Sequence, residues 1–439
     1  VAFSFVALNP AEAGPYKVLH SFCSGGSCGD GSQPVAALTM DLSGNLFGTT
    51  GTGGRGFHGV AFELTRSDTG KFKFHRLYTF CPLGNCVDGA NPHGTLIVDA
   101  DGNLYGTTVD GGSAGHGIVY ELVRGPTGWT ETVLYSFCMP LNCPDGDAPV
   151  AGLTYAGAAS GAPYDGTSPL YGTTAGGGPN GFGTVFELTR NGGQWTENVI
   201  YNFCSTGGAS CTDGAGAQNG LLMDGLGNLL GTTLGGGNDF SSNGAGVAFE
   251  LTPNGDGSWA QTVLYRFCSA ENCADGAGPI GTLIMDAAGT LFGTTRVGGT
   301  DCRLERPYGC GTIYKLIPNG TSSQETVVHA FCAKRDCKDG ADPEGGVILD
   351  SLGNLFGTTF AGGGNDTDDS GIGGGTAFEL SGGSLTILHR FCALPNCGDG
   401  EYPDASLVMD SAGFLYGVTN FGGVGGTSVG SGTVFQLRP

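Results

Sequence analysis

Positive charge is scarce in this chain: 18 Lys and Arg stand against 40 Asp and Glu, for a formal net charge of −22. A field of that sign repels phosphate backbones and anionic membrane surfaces, which argues against nucleic acid or acidic lipid as a partner. It is compatible with cation binding. Long apolar runs are missing too, and none approaches the roughly 18–20 residues with which a helix crosses a bilayer, so no transmembrane segment is expected. Charged residues reach only 13%, while Gly contributes 86 of the 439 residues. Such a composition disfavours long helices and demands many turns. Also absent are a nucleophile elbow, a P-loop, a dinucleotide fingerprint and a His-Glu-x-x-His zinc motif.

Hydrophobic residues make up 39%, with 25 Phe and 14 Tyr recurring at regular places, enough for a packed core. The first residues, Val1–Ala13, have an apolar run and a small-x-small site like the end of a signal peptide. They can equally be read as an extended strand, alternating Phe3 and Phe5 with Ser4, that packs on this molecule or adds to a neighbour. The expected division is therefore an N-terminal segment, 1–13, and one domain over 14–439.

Internal repetition sets the architecture. A Phe-Cys pair recurs with its Cys at 23, 81, 138, 204, 268, 332 and 392, at intervals of 57 to 66 residues. A second Cys follows, then one residue, then Asp-Gly. Next come a short apolar run (Thr95–Asp99), a turn (Asp101–Asn103), a second run (Leu104–Thr108), a Gly-rich loop and a third run (Ile118–Leu122). Thr132–Phe137 closes the unit. Four short runs per repeat, parted by Gly, Asn and Asp, read as four strands. Seven such units predict an all-β, seven-bladed β-propeller. A solenoid would need polar caps at its ends. Here the ends are complementary: the chain opens on a fourth strand (Tyr16–Phe22) and finishes on a third (Gly432–Leu437), so the N-terminal strand is expected to complete the last blade.

The units resemble the GloVer tandem repeat of bacterial exported and surface proteins. Its hallmark, Gly-Asn-Leu-Tyr-Gly-Thr-Thr, stands here as Gly102–Thr108, and the Gly-Thr-Val-Phe-Glu-Leu that follows stands in the third copy as Gly183–Leu188. The resemblance covers essentially all of 16–437. It implies export, often with surface anchoring, and brings no catalytic motif. The paired cysteines are an addition to the repeat core.

All 16 cysteines fall in close pairs: Cys23–Cys28, Cys81–Cys86, Cys138–Cys143, Cys204–Cys211, Cys268–Cys273, Cys302–Cys310, Cys332–Cys337 and Cys392–Cys397. Zinc needs four ligands per site, which two sulfurs per repeat do not supply. Local disulfides are expected, each removing roughly 2 kcal/mol of chain entropy from the unfolded state. The Asp-Gly after each pair makes a ring of carboxylates: Asp30, Asp88, Asp145, Asp213, Asp275, Asp339 and Asp399. They can cap backbone amides in Asx-turns, or, with Gly-rich carbonyls beside them, hold calcium. A second set, including Asp41, Asp99 and Asp224, opens the first hairpin turn of each unit, and the third copy replaces it with the insertion 156–168. The recurring Thr-Thr is read as β-propensity alone.

Positions that differ between copies are where a one-sided function would sit. Just after the Asp-Gly-x-x-Pro step the copies read Val35, His93, Val150, Gln218, Ile280, Glu344 and Asp404. Ahead of the third strand they read His58, His116, Phe182, Ala245, Cys310, Gly374 and Ser431. Both positions are expected on one face, around the channel. His58, His93 and His116 could ligate a transition metal or act as acid and base. Glu344 and Asp404 form a candidate carboxylate pair. The candidate ligand-binding residues are thus His58, His93, His116, Gln218, Glu344 and Asp404, and the catalytic candidates are His93, Glu344 and Asp404. Longer loops at 235–244, 297–309 and 361–374 add Arg303, Arg306, Tyr308, Asp366, Asp368 and Asp369. Two functions follow. One is a secreted or surface propeller that binds a ligand, such as a polysaccharide, or assembles with its own copies. The other is an extracellular carbohydrate-active enzyme working on the channel face, an analogy at the level of fold.

Overall fold

The computed structural model describes residues 16–139, 142–205, 211–237, 244–299, 310–319, 322–364, 373–424 and 431–439. Expectations for Val1–Ala13, Cys302, and the arginines and aspartates of the longer loops lie outside the described residues. Seven antiparallel sheets stand in a ring, a seven-bladed propeller. Six contain four strands; in blade three the first strand is reduced to a bridge between Thr154 and Tyr171. Tyr16–Ser21 pairs with Thr433–Leu437 and supplies the fourth strand of blade seven, closing the ring as the sequence predicts.

The hallmark residues explain one another through packing. The Gly of each second strand pairs directly with an aromatic residue of the third, as Gly106 does with Tyr120 and Gly231 with Phe249. A Cβ at Gly106 would sit 2.6 Å from the Tyr120 hydroxyl, and one at Gly231 2.7 Å from the Phe249 ring. The aromatic ring therefore lies across the strand where a side chain is missing. Against it packs the Phe of the preceding unit's Phe-Cys. These edge-on pairs recur at every junction between blades: Phe22 with Phe62, Phe80 with Tyr120, Phe137 with Phe186, Phe203 with Phe249, Phe267 with Tyr314, Phe331 with Phe378 and Phe391 with Phe435, at 4.8–5.4 Å. Such a pair is worth about 0.5–1.5 kcal/mol beyond the area it buries.

The threonines do more than favour strands. The Thr107 hydroxyl donates to the Ala151 carbonyl of the next blade, and Thr173, Thr294 and Thr358 donate to Asn219, Gly345 and Ala405. The second Thr of each pair, such as Thr108, donates to the carbonyl two residues on, which starts the loop to the third strand.

Seven local disulfides form on the described residues, and none of these residues is a free cysteine. Cys310 is also disulfide-bonded. Beneath each staple lies one Asp of the ring. Asp88, Asp145, Asp213 and Asp275 accept from Tyr78, Tyr135, Tyr201 and Tyr265 of the fourth strand. Asp30 and Asp399 instead meet His20 and His389 at 3.0 Å, and Asp339 meets His329 at 3.5 Å. Each also accepts from backbone amides of the staple, as Asp88 does from Cys81 and Asp339 from Ala333 and Lys334.

A second residue joins this junction from the neighbouring blade. By register, the fourth-strand residue opposite the third-strand Leu is Phe74, Glu131, Glu197, Gln261, Glu325, Leu385 and Tyr16 in blades one to seven. Wherever the preceding blade supplies Tyr, this residue is Glu or Gln; wherever it supplies His, it is apolar or aromatic. His20 stacks on Phe74 at 4.0 Å and His389 on Tyr16 at 3.7 Å. Burial, and secondarily the carboxylate of Asp88, Asp145 or Asp275, pushes Glu131, Glu197 and Glu325 up to about 7. One oxygen of each is buried without a partner. Gln261 fills the same place with a neutral amide, its Oε1 2.9 Å from the Tyr201 hydroxyl and its Nε2 donating to the Asp213 carbonyl.

Candidate functional site

The seven residues that follow the Asp-Gly-x-x-Pro step converge. Val35, His93, Val150, Gln218, Ile280, Glu344 and Asp404 line one cavity of about 200 Å³ on the central channel, with Thr95, Asn219 and Ser406 among its other walls. Of the expected ligand-binding residues, His93, Gln218, Glu344 and Asp404 are thus brought together. His58 and His116 are not. They stand beside the staples Cys81–Cys86 and Cys138–Cys143, and His116 is ion-paired to Asp147 at 2.9 Å. The sulfurs near these histidines are consumed in disulfides, so they are not ligands as they stand. The carboxylate ring stays dispersed, one Asp per blade, each engaged as described above. Among the described residues, none of the seven belongs to a group of three potential metal ligands within 4.8 Å of one another.

Around the channel the polarity is one-sided. The position after Thr-Thr, where the second strand ends, reads Gly51, Val109, Ala175, Leu234, Arg296, Phe360 and Asn420. A further position, two residues ahead of the channel ring, reads Gln33, Asn91, Ala148, Gly216, Gly278, Asp342 and Tyr402, and all seven have φ between 53° and 66°. The left-handed backbone there belongs to the repeat. A bulky residue in it costs about 1–2 kcal/mol, and Tyr402 is the bulky one. Its ring stacks on Phe360 at 4.6 Å and 11°, with Phe421 edge-on at 6.0 Å. Two residues on, Asp404 accepts from the Asn420 amide at 3.0 Å. Glu344 meets Arg296 at 2.8 Å. Blades five to seven thus carry an aromatic stack, two carboxylates, an amide and a guanidinium, while blades one, three and four offer mainly small or apolar residues.

Burial dominates the electrostatics. It raises Asp404 well above the usual carboxylate range, and the neighbouring Glu344 raises it further. Glu344 is raised by burial as well, partly offset by Arg296. His93 is lowered by burial, which outweighs the opposing pull of Asp110. Its ring lies over Gly51, where a Cβ would come within 3.0 Å of Nε2. Burial and the second carboxyl thus both act on Asp404 in the same direction, favouring its neutral form.

A larger groove, about 520 Å³, lies at the other end of the first strands, between blades one, two and three. Met40, Leu42, Ile97, Val98 and the blade-three insertion wall it. Its carboxylates, Asp41 and Asp99, are spent closing hairpins onto Ser43, Asn45, Asp101 and Asn103. The chemistry converges at the channel mouth instead. Reading the variable positions of the copies found half of that mouth. Arg296, Phe360, Asn420 and Tyr402 were missed, although each is a variable residue at a fixed offset from a constant one.

A model of the Gloeobacter/Verrucomicrobia repeat matches residues 5–168 and 156–367. No curated protein matches the chain. Among solved structures, it is similar to the extracellular domain of a protein assigned as a hybrid two-component system from B. thetaiotaomicron. That match has a TM-score of 0.49 and 11% identity, and covers 97% of this chain and 41% of that one. A Dyadobacter fermentans protein of unknown function is similar over 97% of this chain and 100% of that one, at a TM-score of 0.43 and 11% identity. The chain belongs to the Gloeobacter/Verrucomicrobia repeat family.

Proposed function

We propose that this member of the Gloeobacter/Verrucomicrobia repeat family is an exported propeller that binds a saccharide at the channel mouth of blades five to seven. Export is supported by the staples, since disulfides persist in oxidising compartments. The observation that carries the binding site is Glu344 and Asp404 together in the cavity wall, Asp404 held by the Asn420 amide, with the Phe360–Tyr402 stack on neighbouring segments of the same two blades. Flat apolar faces suit the C–H side of a sugar ring, and fixed acceptors suit its hydroxyls. The cavity is smaller than the roughly 300–1,000 Å³ of a drug-sized site, so it admits one residue of a glycan rather than a long segment.

The test is retention on a panel of immobilised oligosaccharides. The protein is expected to bind at least one, and the Phe360→Ala/Tyr402→Ala double variant to bind it at least tenfold more weakly. Both rings are partly buried and Phe360 packs on the cluster of Cys310, Cys332 and Cys337, so the variant should melt lower and its binding is compared at a temperature where both proteins are folded. No retention on any saccharide, or a variant that binds as tightly as the parent, would reject the reading.

A second reading, glycan cleavage, is favoured by one observation: two carboxyls, Glu344 and Asp404, share the cavity wall, and burial with the neighbouring charge raises Asp404, the direction a general acid needs. New reducing or unsaturated ends, absent with Asp404→Asn, would establish it.

A further inference from the structure

We propose that the channel mouth selects a saccharide bearing a protonated amino group, seated between Asp404 and Asn420. This rests on the saccharide reading and adds the class of sugar. The unmatched atoms at this corner are all acceptors. The Asn420 amide donates to Asp404 Oδ2, which fixes the orientation of its own carbonyl. That carbonyl oxygen and Asp404 Oδ1 are both buried and lack a partner. Two buried acceptors, one of them on a residue of the cavity wall, leave free energy unrealised, roughly 1–3 kcal/mol each, until a ligand brings donors to them.

Charge separates an ammonium from a hydroxyl. Asp404 lines the cavity with Glu344. Among the described residues bordering this corner the cation is Arg296, and its Nε is already on Glu344. Asp342, on the segment that carries Glu344, adds to the negative field there. Burial and Glu344 raise Asp404; an ammonium beside it acts the other way and favours the carboxylate, so any proton the carboxyl carries passes to solvent as the ligand binds. The aromatic stack can add a cation–π contact. The net charge of −22 draws cations toward the protein at long range.

Isothermal titration calorimetry at about pH 5.5, where the sugar amines already carry their protons, in two buffers of different ionisation enthalpy, tests this with three probes: a glucosamine tetramer, an N-acetylglucosamine tetramer and cellotetraose. The glucosamine tetramer should bind at least tenfold more tightly than either neutral tetramer, releasing up to one proton. Asp404→Asn should abolish both the preference and the release. A preference arising only from overall charge would survive in that variant, and so would overturn the proposal. Neutral tetramers binding as tightly as the amine would also overturn it while leaving the saccharide reading intact. Failure of all three probes to bind would reject both.

Discussion

The Glu131→Gln/Glu197→Gln/Glu325→Gln triple variant should be more stable than the parent at pH 8 and nearly equal to it at pH 5. Each carboxyl is pushed up to about 7 in the folded protein, by burial first and the adjacent Asp second, against an ordinary value of 4.5. Between those two values the folded chain binds more protons than the unfolded one. Stability therefore rises as pH falls through the window and drops as pH climbs through it. These groups are only partly buried, so solvent screening leaves on the order of 1 kcal/mol each, or about 3 kcal/mol for the three. Gln261 already stands at the equivalent place with both its amide atoms bonded, so the replacement has a precedent in the molecule.

Acid acts in the opposite sense. Burial alone would raise Asp30, Asp339 and Asp399, but the hydrogen bonds from His20, His329 and His389 and from backbone amides outweigh it and hold them low. Their contribution is present above about pH 4 and is lost as pH falls through the depressed values. Urea unfolding from pH 3 to 9 should place the parent's maximum near pH 5, with the variant falling less steeply from there to pH 8, since Asp404 and Glu344 remain raised in both. Parallel curves for the two proteins would show that these junctions do not carry the extra protons.

Deleting the chain through Phe22 should abolish cooperative folding. The deletion removes the pairing with Thr433–Leu437 inside blade seven, and the stack of Tyr16 on His389 and the Phe22–Phe62 contact, which join that blade to its two neighbours. It also leaves the third strand of blade seven as an open edge. Tyr16 lies opposite Leu437, so a short turn can connect them. A permuted chain that begins at Cys23 and carries Tyr16–Phe22 after Pro439 should therefore melt like the parent. Calorimetry of the three proteins decides the matter. An unchanged transition in the deletion, or a permuted chain that fails to fold, would contradict closure by this strand.

Most of the architecture was legible because seven copies act as an alignment inside one chain. Constant Gly, Thr, Phe and Asp mark what every blade needs, and their spacing set strand number, staples and closure. The site was legible only in part. Glu344 and Asp404 stood out as charges at a position that is otherwise largely apolar. Phe360 and Tyr402 did not, because an aromatic residue beside a strand reads as core until its neighbour across the blade junction is known. The same reason hid the pairing of Tyr with Glu or Gln and of His with apolar or aromatic residues, which joins residues of different blades far apart in sequence, as Tyr135 and Glu197 or Tyr16 and His389 are. His58 and His116 stand at the staples and are not among the residues that line the cavity with His93.

The central claim is that ligand binds at the channel mouth of blades five to seven. The most direct test is a crystal structure of the protein with the tightest-binding saccharide of the panel. The account predicts a sugar ring against Phe360 and Tyr402, with its polar groups on Asp404, Asn420 and Glu344. A saccharide seated instead in the groove beside Met40 and Leu42, or at the outer strands, would contradict it.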